Sequence, residues 1–85
     1  MSKSDKALIR LQSLPKDYRW SELVTVLTRF GFNEIQGNGS RVRFFDETTK
    51  LVCCFHKPHP GSIMKLYAVK EALNYLVDNG YIDNE

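Results

Sequence analysis

Trp20-Ser21-Glu22-Leu23-Val24-Thr25-Val26-Leu27-Thr28-Arg29-Phe30-Gly31-Phe32-Asn33-Glu34-Ile35-Gln36 changes its hydrophobic period at Gly31, and the fold turns on that change. Before it, Trp20, Leu23, Val24, Leu27 and Phe30 fall at i, i+3, i+4, i+7 and i+10, one continuous apolar stripe down a helix face. Gly31 is a good C-terminal stop. After it the period drops to two. Residues 32–36 predict a strand, and Gly37-Asn38-Gly39 the tight turn of a hairpin. Residues 41–45 predict a second strand and 51–56 a third, joined by Asp46-Glu47-Thr48-Thr49-Lys50.

Upstream, the first four residues are expected to fray. Leu8 and Leu11, with Ala7 and Leu14 nearby, predict a short amphipathic helix over 5–13. Pro15 ends it, because proline disfavours helical geometry in the residue before it. Downstream, Leu66, Val69, Leu73, Leu76 and Val77 form a last helical stripe closed by Asn79-Gly80. The order helix, helix, three strands, helix predicts an α+β fold, with a three-stranded antiparallel sheet covered by helices on one face. One domain is expected over 1–85, its core between 18 and 82.

Strand alternation assigns the uncovered face. With Val42, Phe44, Leu51, Cys53 and Phe55 inward, Arg41, Arg43, Phe45, Val52, Cys54 and His56 point outward. That parity avoids burying a titratable histidine. The opposite register, burying Val52 and Cys54, is the alternative that pattern leaves open.

A hydrophobic fraction of 42% over 85 residues suits one compact fold and argues against disorder. The net charge of +2 decides little, but its distribution is uneven. Residues 35–70 carry six basic and two acidic groups, whereas 71–85 carry four acidic and no basic ones. A basic middle beside an acidic tail suits a surface that meets a polyanion on one side. Scattered solvated charge is the bland alternative. Cys53 and Cys54 are adjacent in a strand, point to opposite faces and fit a reducing cytoplasm rather than a disulfide framework. No spacing of cysteines and histidines reads as a metal site, and no segment reads as a membrane span or signal peptide.

Gly37 to Lys65 holds both histidines together with Arg41, Arg43, Lys57 and Lys65, the groups that bind phosphate and move protons near neutral pH. In its order of features the chain resembles the HicA-type toxins, also called the YcfA-like family, ribonuclease halves of bacterial toxin–antitoxin pairs. The resemblance runs from about Trp20 to Val77 and rests on Gly39-Ser40 before a strand with Phe44, the Lys57-Pro58-His59-Pro60-Gly61 loop, and Lys65 leading into the last helix. It implies a double-stranded-RNA-binding-like α-β-β-β-α fold, here with an extra N-terminal helix. It also implies cleavage of mRNA without metal or other cofactor, and silencing by a HicB-type antitoxin. The family's Gly-Ser-His motif becomes Gly39-Ser40-Arg41 here, a form that resembles a Gly-Ser-Arg subgroup with a His-Lys-Pro-His-Pro-Gly loop.

Metal-free RNA cleavage needs a 2′-hydroxyl deprotonated, a 5′-oxygen protonated as it leaves, and positive charge near the phosphorane. Histidine, with an unperturbed pKa of about 6.5, suits both transfers, whereas arginine stays protonated and serves as a phosphate clamp. His59, which the resemblance also places, is the expected principal acid/base group, assisted by His56. Their prolines favour an extended path that would project both from one side, about 9 Å apart. Ser40, Arg41, Arg43, Lys57 and Lys65 are the expected RNA contacts; no Asp–His pair is legible that would activate Ser40 as a nucleophile. Two other functions compete: an RNA-binding module that does not cut, and a small domain whose open sheet face or edge accepts a protein partner.

Overall fold

The computed structural model describes residues 2–37, 39–58 and 61–83. Its elements are α1 (Lys3–Ser13), α2 (Trp20–Arg29), β1 (Phe32–Gln36), β2 (Arg41–Asp46), β3 (Leu51–His56) and α3 (Leu66–Asp78). The strands form one antiparallel sheet in the order β1-β2-β3. This is the expected α+β arrangement, α-β-β-β-α preceded by a further helix.

The N-terminal expectation needs correction. Residues 3 and 4 are helical, because Ser2 Oγ accepts from the Asp5 amide at 3.2 Å while the Asp5 carboxylate accepts from the Ser2 amide at 3.3 Å. This reciprocal pair satisfies two donors of the first turn and starts α1 earlier than its apolar stripe does. At the other end Leu14 takes a left-handed conformation (φ 53°) just before Pro15.

α2 buries Trp20, Leu23, Val26 and Leu27, and stops at Phe30-Gly31. Gly31 has φ +99°, and a Cβ there would meet the Asp46 carboxylate at 3.7 Å. The core unites that face with Ala7 and Leu11 of α1, Val42, Phe44, Cys53 and Phe55 of the sheet, and Val69, Ala72 and Leu76 of α3. Trp20 and Phe55 pack on Phe44 with ring centroids 5.9 and 6.3 Å away. Buried Tyr18 donates to the Ala7 carbonyl at 2.7 Å, tying α1 to the segment that leads into α2.

Strand parity follows the preferred register. Val42, Phe44, Cys53 and Phe55 are buried, while Arg41, Arg43, Val52, Cys54 and His56 are exposed; Phe45 and Leu51 are half-buried. β2 also runs one residue further than expected, and Asp46 ends it facing inward at 4% exposure. A buried carboxylate needs partners. Asp46 has them: the Tyr81 hydroxyl donates at 2.6 Å and the Thr48 amide at 2.9 Å. The Tyr81 hydrogen bond, outweighing burial, holds the Asp46 carboxyl below the usual carboxylate range.

Candidate functional site

Three segments converge where β2 begins and β3 ends. The sheet register sets Arg41 opposite His56, both on the uncovered face. The pairing continues one step past the strands, for the Lys57 amide donates to the Ser40 carbonyl at 2.7 Å. Ser40, Arg41, His56 and Lys57 are therefore neighbours by backbone geometry alone. On the other side of β2, the Gly37 amide donates to the Arg41 carbonyl at 3.1 Å. A Cβ on Gly37 would lie 2.7 Å from that carbonyl oxygen, so the approach that positions Arg41 requires glycine.

The third segment is the connection from β3 to α3. The Trp20 amide donates to the Ser62 carbonyl and the Met64 amide to the Tyr18 carbonyl, both at 2.8 Å, a short bridge that pairs Arg19 with Ile63. Met64 is buried at 2% exposure. Anchored backbone and buried side chain together set where Lys65 and the first turn of α3 emerge. Lys65 is the N-cap of that helix; no side chain caps it, and its first turn has no acidic residue. The end of the helix dipole adds partial positive charge at this corner.

Between these segments lies a cleft of about 270 Å3, lined by His56, Lys57, Pro58, Ile63, Met64, Lys65, Tyr67 and Ala68. Of the residues singled out from sequence, His56, Lys57 and Lys65 thus share one cleft, with Arg41 and Ser40 beside it across the β2–β3 pairing. Arg43 does not join them: it lies opposite Cys54, two residues or about 6.8 Å further along β2 on the same face. His59 lies outside the described residues, as does Asn38 of the hairpin turn. Tyr67, which the sequence reading passed over, lines the cleft and is 66% exposed. Its signal was its position: it sits off the apolar stripe of α3, so packing within the fold does not require an aromatic there.

The ion pairs among the described residues involve two arginines. Arg10 is bound by Glu22 (2.6 Å) and Asp17 (3.1 Å), and Arg29 by Asp5, all on the helical side. Hydrogen bonding to Glu22 and then Asp17 raises the Arg10 pKa, and the Arg29 hydrogen bond lowers that of Asp5. Among the described residues, the side chains of Arg41, Arg43, Lys57 and Lys65 take part in no ion pair. Four cations without ion pairs thus gather at the sheet end and the cleft, while others, among them Lys3, Lys16 and Lys70, stand elsewhere on the surface. Burial pushes the Cys53 thiol up to about 12, leaving it a protonated core residue, while Cys54 opens onto the uncovered face. Among the described residues no group of three or more His, Cys, Asp or Glu gathers as metal ligands, and no helix is long and apolar enough to cross a membrane.

Fold and site together define a small α+β protein with an uncovered, cation-bearing sheet end. A family model described as the HicA toxin of bacterial toxin–antitoxin matches residues 20–76, from the first residue of α2 to the buried Leu76 of α3. The match covers more than half of the chain, and the protein belongs to the HicA toxin family. Membership makes it the toxin side of a toxin–antitoxin pair. α1 lies outside the matched span. No curated protein and no solved structure matches the chain.

Proposed function

We propose that this toxin is an mRNA endoribonuclease, working without a metal and held silent by a HicB-type antitoxin in the cytoplasm. The observation that carries the reading is the set of unpaired cations around His56: Arg41 across the strand pair, Lys57 next in the chain, and Lys65 across the cleft. In a chain of this family, such a set suits a ribose-phosphate backbone better than any neutral ligand. Arg41, Lys57 and Lys65 hold phosphate and offset the charge that develops on the phosphorane. Arg43 extends the footprint along β2, and Ser40 contributes a polar contact at its start.

His59 and His56 act as the acid/base groups. One takes the proton of the 2′-hydroxyl as that oxygen attacks phosphorus; the other protonates the 5′-oxygen as the P–O5′ bond breaks. The products are a 2′,3′-cyclic phosphate and a free 5′-hydroxyl. The test is incubation of wild type, His59→Ala and His56→Ala with mRNA in EDTA, scoring cleavage and the chemistry of the new ends. Wild-type cleavage to cyclic phosphate ends, lost in His59→Ala and reduced in His56→Ala, is the expected result. Cleavage abolished by EDTA would overturn metal independence, and cleavage undiminished in both variants would overturn the histidine assignment.

One observation favours a second reading. Arg41 stands where the family motif resembles Gly-Ser-His, and an arginine does not serve as a general base. On that reading the protein grips RNA without cutting it, and the same incubation returns intact RNA with salt-sensitive binding.

A further inference from the structure

The exposed ring of Tyr67 is unexplained by the fold. α3 buries Val69, Ala72 and Leu76 and half-buries Leu66, and Tyr67 projects from its first turn away from that face. At 66% exposure it is the most exposed of the protein's large hydrophobic side chains among the described residues. It does not stand alone. Ile63, 46% exposed, lines the same cleft, as do Pro58 and the three groups His56, Lys57 and Lys65. The cleft thus joins apolar and aromatic surface, from Pro58, Ile63 and Tyr67, to the cations Lys57 and Lys65.

That combination matches a nucleotide whose base is not paired. Proteins that hold single strands join cations that track phosphates with aromatic rings on which bases stack. Bases inside a duplex are already stacked and paired, and a ring at the protein surface has no face of theirs to meet. The cleft volume of about 270 Å3 is just below the roughly 300–1,000 Å3 of pockets that enclose drug-sized molecules, which suits one base. Resting on the reading of this site as an RNA site, we propose that Tyr67 is a stacking platform for one unpaired base. Lys57 and Lys65 hold the adjoining phosphates, and the protein selects unpaired RNA over duplex RNA.

The test is fluorescence anisotropy with a labelled oligouridylate, a labelled oligoadenylate and a blunt RNA duplex of equal length, titrated with wild type, Tyr67→Phe, Tyr67→Leu and Tyr67→Ala. A stacked base is lost with a change of about 5- to 150-fold in affinity. Tyr67→Ala and Tyr67→Leu should therefore bind both single strands about 5-fold or more weakly, while Tyr67→Phe stays within about twofold of wild type. The leucine variant keeps apolar bulk without a π-face, so its loss separates stacking from simple contact. No charge is removed, so the salt slope of binding stays at the wild-type value in all three variants. A thermal melt of each variant checks that the fold is kept. Wild-type affinity in Tyr67→Leu and Tyr67→Ala would overturn the platform while leaving the RNA reading intact, and so would wild-type preference for the duplex. A wild type that binds none of the three RNAs would instead overturn the RNA reading itself.

Discussion

Replacing Arg41 by alanine removes one cation from the sheet end while leaving the core untouched. Its backbone carbonyl still accepts from Gly37, and its exposed side chain forms no ion pair with any described residue. The proposed footprint has four fixed cations, Arg41, Arg43, Lys57 and Lys65. Each phosphate neutralised on a single strand contributes about −0.7 to the slope of log affinity against log salt, so four give about −2.8. Over the rise from about 50 to 200 mM salt the wild type should then lose affinity about 50-fold. Arg41→Ala, with three cations left, should show a slope of about −2.1 and a loss of about 18-fold over the same range. Stability should change by less than about 0.5 kcal/mol, as for an exposed side chain without partners. Anisotropy of a labelled single-stranded RNA across a salt series, with a thermal melt beside it, measures both. A slope equal to the wild type's would remove Arg41 from the phosphate footprint. A collapse of the melting temperature would make the arginine structural and refute the assignment of the uncovered face.

Two further outcomes follow from backbone geometry and from charge. Gly37→Ala sets a Cβ 2.7 Å from the Arg41 carbonyl oxygen, a backbone atom that cannot swing aside, and should destabilise the protein by about 1–3 kcal/mol in denaturant melts. It should also weaken RNA binding more than Gly39→Ala does: an alanine at Gly39 (φ +63°) strains the turn by about 1–2 kcal/mol, but its Cβ meets nothing within 4 Å and so does not press on Arg41. Tyr81→Phe removes the hydrogen bond that depresses the Asp46 pKa. A carboxyl whose folded pKa lies below its unfolded value of about 3.9 adds stability that is complete above that value and fades as pH falls through the folded one. The stability gap between wild type and Tyr81→Phe should therefore be widest near neutral pH and narrow in acid; a gap constant down to about pH 2 would show that Asp46 is not the group involved.

Several of these features were readable along the chain, and others were not, for identifiable reasons. The alternations Val42/Phe44 and Cys53/Phe55 allow two parities for β2 and β3, because successive strand residues face opposite sides, and the cost of burying His56 favoured the one observed. The early start of α1 was encoded in Ser2 and Asp5, three residues apart, but apolar periodicity does not register a capping pair. Asp46 read as the start of a polar connection. It is instead an inward strand end, made tolerable by Tyr81, 35 residues further on. No local pattern announces a partner that distant.

The helices, the strands and the likeness to HicA toxins were settled by residue order, since period, turn residues and motif spacing are properties of neighbours in the chain; for the bare face it gave a preference between two registers. The meeting of Lys65 and Tyr67 with His56 was not settled that way. It depends on Met64 burying itself and on two hydrogen bonds from the β3–α3 connection to residues 18 and 20, more than 40 positions earlier. Contacts across such separations exist only once the core has formed, because it is the shared burial of remote segments that brings their unburied side chains to one corner.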